Sequence, residues 1–324
     1  MQRRSPQTPR YEGRPYARPH EELVDQGLAF DLVTMSRRQM LGFFGAGAGV
    51  LALAACSTGS TDSTSGTTGS TSNSTSGSTS GSGTASGEIP DETAGPYPGD
   101  GSNGPNVLSG NGVVRSDIRS SFGTSTTTAE GIPMTLTLSL VDMANSNAPF
   151  AGVAVYVWHC NRAGAYSLYS SGVENENYLR GVQIADDSGQ VSFTSVFPAC
   201  YSGRWPHIHF EVYPDQASIA DPGNAIATSQ VALPQAVCEA VYATSGYEAS
   251  VGNLSRLSLA TDNVFGDDSA ALQLATVTGD TSAGYQVKLT AAVDTRTTPT
   301  SGAAPGGGGP GGDGNPPGSR PSSA

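Results

Sequence analysis

The chain has 324 residues and a formal net charge of −12 at pH 7. Such an acidic chain is poorly suited to bind nucleic acid or an anionic surface through its folded part, so we expect no nucleic-acid partner. Two segments, 56–87 and 299–324, are dominated by Ser, Thr, Gly and Pro and are too polar to bury a core. The remaining stretch, residues 88–298, is long enough for one sizeable domain.

Residues 1–55 have the features of a bacterial export signal. Arg37 and Arg38 precede a short apolar run, as in a twin-arginine signal, and the run ends in the lipobox-like "LAAC", whose cysteine is Cys56. These features predict an exported lipoprotein at the cell surface or in the periplasm, held on the membrane by lipidated Cys56, with 56–87 as a tether. The alternatives are an ordinary membrane anchor or a chance apolar run, and Met35 is a second candidate for the start.

The central part of the chain alternates apolar and polar residues with a period of two, which is typical of β-strands. Turn-forming sequences such as "DDSGQ" and "DPGN" separate these segments. The pattern predicts an all-β fold, an antiparallel β-sandwich or barrel with functional loops at one end. "PQAVCEAVYATS" predicts one short helix near 234–245, begun by Pro234. The predicted strands are "MTLTLSL", "VAVYVWHC", "QVSFTSV", "HIHFEVY", "LQLATVTG" and "YQVKLTAAV".

Three cysteines follow Cys56 in the predicted exported part of the chain. Cys160, Cys200 and Cys238 can form at most one disulfide in an oxidising compartment, which leaves one thiol over. We favour a bond between Cys200 and Cys238, although the sequence leaves the connectivity open.

"HIHFEVY" places two of the chain's four histidines on one strand face. On a strand, His207 and His209 point the same way and lie about 7 Å apart at their Cα atoms. Two imidazoles so arranged can converge on one metal ion. The alternative is a pair of histidines on a solvated strand face.

Longer stretches resemble a known family. "AGVAVYVWHCNRAGAYSLYS" and "LRGVQIADDSGQVSFTSVFPACYSGRWPHIHFEV" resemble the intradiol ring-cleavage dioxygenases, of the protocatechuate 3,4-dioxygenase type. The resemblance covers about residues 90–298 and is most specific over 151–212; "TAGPYP" and "RSDI" upstream are also similar to family elements. It implies a β-sandwich of the intradiol dioxygenase type.

The resemblance further implies a non-haem Fe(III) cofactor bound by two tyrosinates and two histidines. Carried over by position, these ligands are Tyr166, Tyr201, His207 and His209. Tyr201 would leave the iron and accept a substrate proton, Arg204 would stabilise negative charge on the substrate ring, and Gln230 would lie beside the site.

The implied reaction cleaves a catechol ring between its two hydroxyls with O2 and gives a muconic-acid-type product. The sequence does not identify the catechol, and it leaves open whether the chain forms a homo-oligomer. A cupin-type metal site is one rival interpretation, although no histidine follows His209 to complete it. A surface-tethered, non-catalytic β-sandwich that binds ligands is the other.

Overall fold

A computed structural model describes residues 10–11, 14–15 and 87–300. Arg37, Arg38 and Cys56, nearly all of the predicted tether, and the tail beyond residue 300 lie outside the described residues. Near the N-terminus, strand β1 (Arg10–Tyr11) pairs antiparallel with β2 (Arg14–Pro15). Within the ranges that the structure describes, no helix is long and apolar enough to cross a membrane.

Residues 87–300 contain two β-sheets. One has five strands: β3 (Pro133–Asp142), β4 (Ala148–Pro149), β7 (Gln190–Val196), β10 (Thr276–Asp280) and β11 (Gly284–Val293). The other has four strands in the order β6–β5–β8–β9: β5 (Ala154–Trp158), β6 (Arg180–Ile184), β8 (His207–Tyr213) and β9 (Ala227–Ala232). Two short helices follow β9, α1 (Gln235–Tyr242) and α2 (Glu248–Leu254).

The strand pairs are antiparallel except for β3 and β11, which run parallel over nine residue pairs. A parallel pair needs a long crossover connection. Here β4 to β10 lie between β3 and β11 in the sequence. β3 shows the predicted alternation directly, because its apolar side chains are buried while the polar ones between them are less so.

The two sheets enclose the main apolar core, to which β8 contributes Ile208, Phe210 and Val212. The opposite face of the four-stranded sheet is also covered. Tyr97, Val107 and other apolar residues of the segment that precedes β3 pack there in a second cluster. Both faces of β8 are therefore buried, which excludes a solvated strand face for the histidines.

Most predicted elements occur where expected. β7 and β8 coincide with their predicted segments, and α1 follows Pro234. The prediction of a strand over "LQLATVTG" was wrong in its first half, because β10 begins only at Thr276. Strands β6 and β9 were not predicted, since both are short and largely buried and so lack clear alternation.

The predicted disulfide between Cys200 and Cys238 is not formed: Cys160, Cys200 and Cys238 are free, buried thiols. The thiol of Cys160 lies 3.6 Å from the carbonyl oxygen of Ala199. That of Cys200 lies 3.7 Å from the carbonyl oxygen of Arg204. The thiols of Cys160 and Cys200 thus donate to nearby backbone oxygens.

Candidate metal centre

Strand β8 brings the two histidines together. The Nε2 atoms of His207 and His209 are 3.1 Å apart, and each residue is only 3% exposed. Burial lowers the pKa of His207 to about 3 and that of His209 well below its usual value, so both imidazoles are neutral near pH 7. Two neutral rings therefore direct their Nε2 atoms at the same small volume.

The proton on His207 can be assigned from its hydrogen bond to the backbone. Its Nδ1 lies 2.5 Å from the carbonyl oxygen of Trp205. A carbonyl oxygen only accepts, so in the neutral ring the proton is on Nδ1 and Nε2 carries a lone pair. This arrangement holds the ring and leaves a ligand atom facing His209, as metal-binding histidines commonly do.

Two tyrosines complete the cluster. The hydroxyl of Tyr201 lies 3.1 Å from Nε2 of His207, and the rings of Tyr166 and Tyr201 are 5.9 Å apart at their centroids. Tyr166 is 1% exposed, and its buried hydroxyl interacts with that of Tyr201 but has no partner at hydrogen-bonding geometry. Burial raises the pKa of both phenols, so they stay protonated near pH 7 unless a cation draws off their protons.

His209 is held by packing. Its ring stacks on the indole of Trp158, its neighbour on β5, with centroids 4.8 Å apart and planes 6° from parallel. Gly95 also approaches this ring closely: a Cβ there would be 3.3 Å from Cε1 of His209, and its φ of +71° is one that side chains rarely adopt. Nδ1 of His209 has no hydrogen-bond partner. The "TAGPYP" segment thus forms one wall of the site.

Arg204 is fixed between two side chains. Its Nε donates to Oδ2 of Asp262 at 3.1 Å, and its Nη2 donates to Oε1 of Gln230 at 2.7 Å. Gln230, the neighbour of His209 on β9, in turn donates from Nε2 to the carbonyl oxygen of Thr93 at 2.9 Å. Gln230 therefore orients Arg204 and connects it to the wall segment.

Two carboxyl groups, those of Asp262 and Glu92, interact with the charge of Arg204. Burial alone would raise the pKa of Asp262, but the charge of Arg204 and the N–H of Trp205 bring it below its usual value. Burial, reinforced by the charge of Asp267, raises the pKa of nearby Glu92 to about 8. The positive charge of Arg204 lowers the pKa of Glu92, whereas the charges of Asp262, Asp267 and Asp268 raise it.

The structure places the six predicted site residues close together. The structure brings Tyr166, Tyr201, His207 and His209 into one cluster, with Arg204 and Gln230 beside it. His159 does not join: its ring nitrogens lie 2.8 Å from the carbonyl oxygen of Cys160 and 2.7 Å from Oγ of Ser195. Asp262 was missed, because nothing in "ATDNVFGDD" distinguishes it from its acidic neighbours.

The donors suit a ferric ion. Among the residues that the structure describes, no three His, Cys, Asp or Glu side chains gather so as to hold a metal ion. A metal at this cluster would therefore need the two phenolic oxygens in addition to the imidazoles. Phenolate is a hard, anionic donor and imidazole binds iron well. Such an ion would also give the unpartnered hydroxyl of Tyr166 a partner.

Known proteins similar to this chain are dioxygenases. Residues 107–215 match the model of a family described as "Dioxygenase". No match was found among curated proteins. Among solved structures, an intradiol ring-cleavage dioxygenase from Tetranychus urticae is 22% identical, with a TM-score of 0.52 over 65% of this chain and 97% of that one.

Two further structures are similar. A second dioxygenase structure is 22% identical, with a TM-score of 0.50 over 65% of this chain and 96% of that one. The dioxygenase domain of a dioxygenase–carbohydrate-binding fusion from Streptomyces sp. SirexAA-E is 21% identical, with a TM-score of 0.41 over 64% and 99% of the two chains. The predicted fold class is confirmed: residues 87–300 have the β-sandwich fold of the intradiol ring-cleavage dioxygenases.

Proposed function

We propose that this chain is a non-haem Fe(III)-dependent dioxygenase. It would cleave a catechol-type ring between the two hydroxyls, incorporate both atoms of O2 and release a muconic-acid-type product. The observation that carries the proposal is the convergence of the Tyr201 hydroxyl, His207 Nε2 and His209 Nε2, each 3.1 Å from the next. The buried, unpartnered hydroxyl of Tyr166 lies in the same cluster. The match to a dioxygenase family and the fold support the same activity.

Four side chains would hold the ion, namely Tyr166, Tyr201, His207 and His209. Ferric ion, when bound there, supplies a Lewis acid that favours a doubly deprotonated catechol and makes its ring reactive toward O2. The chain's part is to present neutral imidazoles and ionisable phenols in a buried pocket. The Nδ1–H bond from His207 to the carbonyl of Trp205 keeps that imidazole fixed throughout.

The two tyrosines differ in a way that assigns their roles. Tyr166 is 1% exposed, whereas Tyr201 is partly exposed and directly precedes a turn at residues 202–203. We therefore assign Tyr201 as the phenol that gives way to an incoming catechol. If a bound ferric ion has removed its own proton, the phenolic oxygen of Tyr201 is the group we expect to accept a proton from a substrate hydroxyl, as a general base.

Arg204 stabilises negative charge on the bound ring. Its side chain is 14% exposed and is held by Gln230 and Asp262, so its guanidinium needs no reorganisation when charge develops. A preorganised donor in a partly buried site acts more strongly than one in water.

The test is an oxygen-uptake and product assay on the full chain after loading with Fe(III). Catechol, 3,4-dihydroxybenzoate and a trihydroxylated benzene are supplied, and products are identified by mass and NMR. We expect uptake of one O2 per ring opened, with the break between the hydroxyls. Absence of uptake with every catechol, or cleavage beside the hydroxyl pair, would contradict the proposal.

A separate proposal concerns location and rests on the sequence alone. Arg37, Arg38 and the "LAAC" motif support export as a lipoprotein anchored through Cys56. In a bacterial host, the wild-type chain should label with a radioactive fatty acid and sediment with membranes, and Cys56→Ala should do neither. Labelling of the Cys56→Ala variant would refute this assignment.

A further inference from the structure

The candidate ligands are placed in two different ways. The two histidines are carried by β8, which is hydrogen-bonded to a strand on each side. Tyr166 lies instead in residues 165–179, which form only turns and irregular backbone between β5 and β6. Its N–H donates to Oγ of Ser170 at 2.9 Å, and its carbonyl oxygen accepts from the N–H of Ser170 at 2.9 Å. These bonds close a local turn, so the place of that turn in the fold depends on contacts outside it.

Arg180, the first residue of β6, makes such a contact. It is 1% exposed. Its Nε donates to Oγ of Ser167 at 3.0 Å, and its Nη2 donates to the carbonyl oxygen of Ser167 at 3.0 Å. Ser167 directly follows Tyr166 and is itself buried. One guanidinium therefore holds both the hydroxyl and the carbonyl of the residue next to the candidate ligand.

The same guanidinium bonds the wall segment "TAGPYP". Nη2 donates to the carbonyl oxygen of Tyr97 at 2.9 Å, and Nη1 donates to that of Pro98 at 2.7 Å. The ring of Tyr97 packs on the ring of Tyr166, with centroids 4.9 Å apart. Arg180 thus holds Tyr166 from two sides, through the backbone beside it and through the backbone of the residue whose ring covers it.

An arginine is suited to this task and a lysine is not. The fifth bond runs from Nη1 to the hydroxyl oxygen of Tyr156 at 3.0 Å, so all five N–H groups of Arg180 are used. Every acceptor is a neutral oxygen, and within residues 87–300 Arg180 forms no salt bridge. Because a guanidinium is planar and rigid, these bonds fix the two segments relative to each other. A lysine ammonium has only three donors, all on one atom.

We infer that Arg180 is a positioning residue of the candidate metal centre: by bonding Ser167 and the wall segment together, it holds the phenol of Tyr166 where it can bind the ion. This inference rests on the proposed function and adds a residue that acts through Ser167 and Tyr97. Groups that orient a metal ligand in this way strengthen metal binding without touching the ion.

The first test is the affinity of the full chain for Fe(III), measured by competition with a chelator and followed by visible absorption. Arg180→Lys keeps a positive charge but loses at least two of the five bonds. We expect the affinity to fall at least about tenfold, as is usual when the partner of a metal ligand is changed. The visible band should change in the same direction as in Tyr166→Phe. A wild-type affinity and band in Arg180→Lys would overturn the inference.

A Tyr166→Phe background separates positioning of this ligand from a general structural role. If Arg180 acts through Tyr166, then adding Arg180→Lys to Tyr166→Phe should lower the affinity by no more than about twofold, because the two effects are not additive. A further tenfold loss would show that Arg180 acts by another route, such as Trp158, its partner on β5, and would overturn the inference.

Ser167→Ala is a milder variant that tests the same link even where Arg180→Lys fails to fold. It removes only the hydroxyl that accepts from Nε of Arg180 and donates to the carbonyl of Tyr178. We expect Fe(III) affinity to fall about threefold, the effect of one hydrogen bond, and to stay constant when the change is made in Tyr166→Phe. A fall of equal size in both backgrounds would contradict the link from Ser167 to Tyr166.

Arg115→Lys is the matched control. Arg115 is also a partly buried arginine that bonds backbone carbonyls, among them that of Arg180. Among the described residues it bonds neither Ser167 nor the wall segment, so its variant should keep Fe(III) affinity within about twofold of the wild type. A loss equal to that of Arg180→Lys would assign the effect to a general loosening of β6 and would overturn the inference.

A second readout needs no iron. In the iron-free chain, the N–H of Gly99 donates to the hydroxyl of Tyr169, and that of Ser170 donates to the carbonyl of Tyr166. Arg180→Lys should speed hydrogen exchange of these two amides at least about tenfold and leave the amides of β3 at wild-type rates. Unchanged exchange at Gly99 and Ser170 would show that Arg180 does not hold these segments.

Failure of the proposed function gives a different result. In that case the wild-type chain shows no ferric absorption band and cleaves no catechol. A normal wild-type band that is unchanged in Arg180→Lys would leave the dioxygenase proposal standing and would overturn only the role of Arg180.

Discussion

Both faces of β8 are buried, but one is apolar and the other carries polar and ionisable side chains. On the inner face, Ile208, Phe210 and Val212 are fully buried in the apolar core between the sheets. On the outer face, the same strand carries His207 and His209, and beyond them a buried acid and a tyrosine. One strand thus contributes to the apolar core on one side and to the candidate metal centre on the other.

The outer face keeps polar groups that the fold alone does not satisfy. The hydroxyl of Tyr166, Nδ1 of His209 and Nε1 of Trp158 are buried without hydrogen-bond partners. Each such group costs about 1–3 kcal/mol when buried unsatisfied. Of these three groups, the hydroxyl of Tyr166 is the candidate ligand atom.

The largest effect is expected from removing a candidate ligand. His209→Ala should lower iron content and abolish the visible absorption and oxygen uptake with catechols, because an imidazole is lost from the cluster. The control is His159→Gln, which changes the other described histidine, whose ring nitrogens are bonded to Cys160 and Ser195. It should retain iron, and equal iron loss in both variants would contradict the assignment.

On the inner face, Phe210→Ala should affect stability and little else. Phe210 is fully buried, so its truncation should lower the free energy of unfolding by about 3–5 kcal/mol, measured by urea denaturation of the iron-free chain. Val251→Ala, at a side chain that is 53% exposed, should change it by at most about 0.5 kcal/mol. Comparable losses in the two variants would argue against the core as described.

Glu211 on the outer face predicts a pH dependence. Burial raises its pKa from 4.5 to about 8. Between these values the folded state holds a proton that the unfolded state releases, so stability falls as pH rises. Glu211→Gln should remove about 1.4 kcal/mol per pH unit from that slope. Denaturation midpoints at pH 5 to 8 measure it, and an unaltered slope would show that Glu211 is ionised in the fold.

The smallest effect is expected at Tyr166. In the iron-free chain, Tyr166→Phe removes a hydroxyl without a partner, so the free energy of unfolding should stay constant or rise by up to about 1 kcal/mol. In Tyr247→Phe, a hydroxyl bonded to the carbonyl of Phe197 and the N–H of Ile132 is lost. That variant should lose about 1–3 kcal/mol. Equal losses would mean that the Tyr166 hydroxyl has a structural partner.

Sequence patterns predicted the inner face better than the outer one. Strands β3, β7, β8 and β11 were identified from the sequence. Each of them alternates polar and apolar residues or is rich in residues that favour β-strands. β9 is buried along its whole length, so its sequence "ATSQVA" carries no such contrast. The parallel pairing of β3 with β11 joins distant segments and leaves no local signal.

The sequence predicted only those residues of the candidate site that belong to a recognisable local motif. The His-x-His pair follows from strand geometry, and the tyrosines, Arg204 and Gln230 came from the family resemblance. Asp262 lies 58 residues from Arg204 in the chain, and its role depends on a contact that only the folded structure reveals. The close approach of Gly95 to His209 is likewise a property of the fold.

The most direct measurement of the central claim is an Fe(III) titration of the purified chain followed by visible absorption. Two phenolate ligands should give one iron per chain and a broad charge-transfer band that colours the protein red. Tyr166→Phe and Tyr201→Phe should each alter that band. A chain that stays colourless with iron, or a band unchanged when both tyrosines are replaced, would contradict the account.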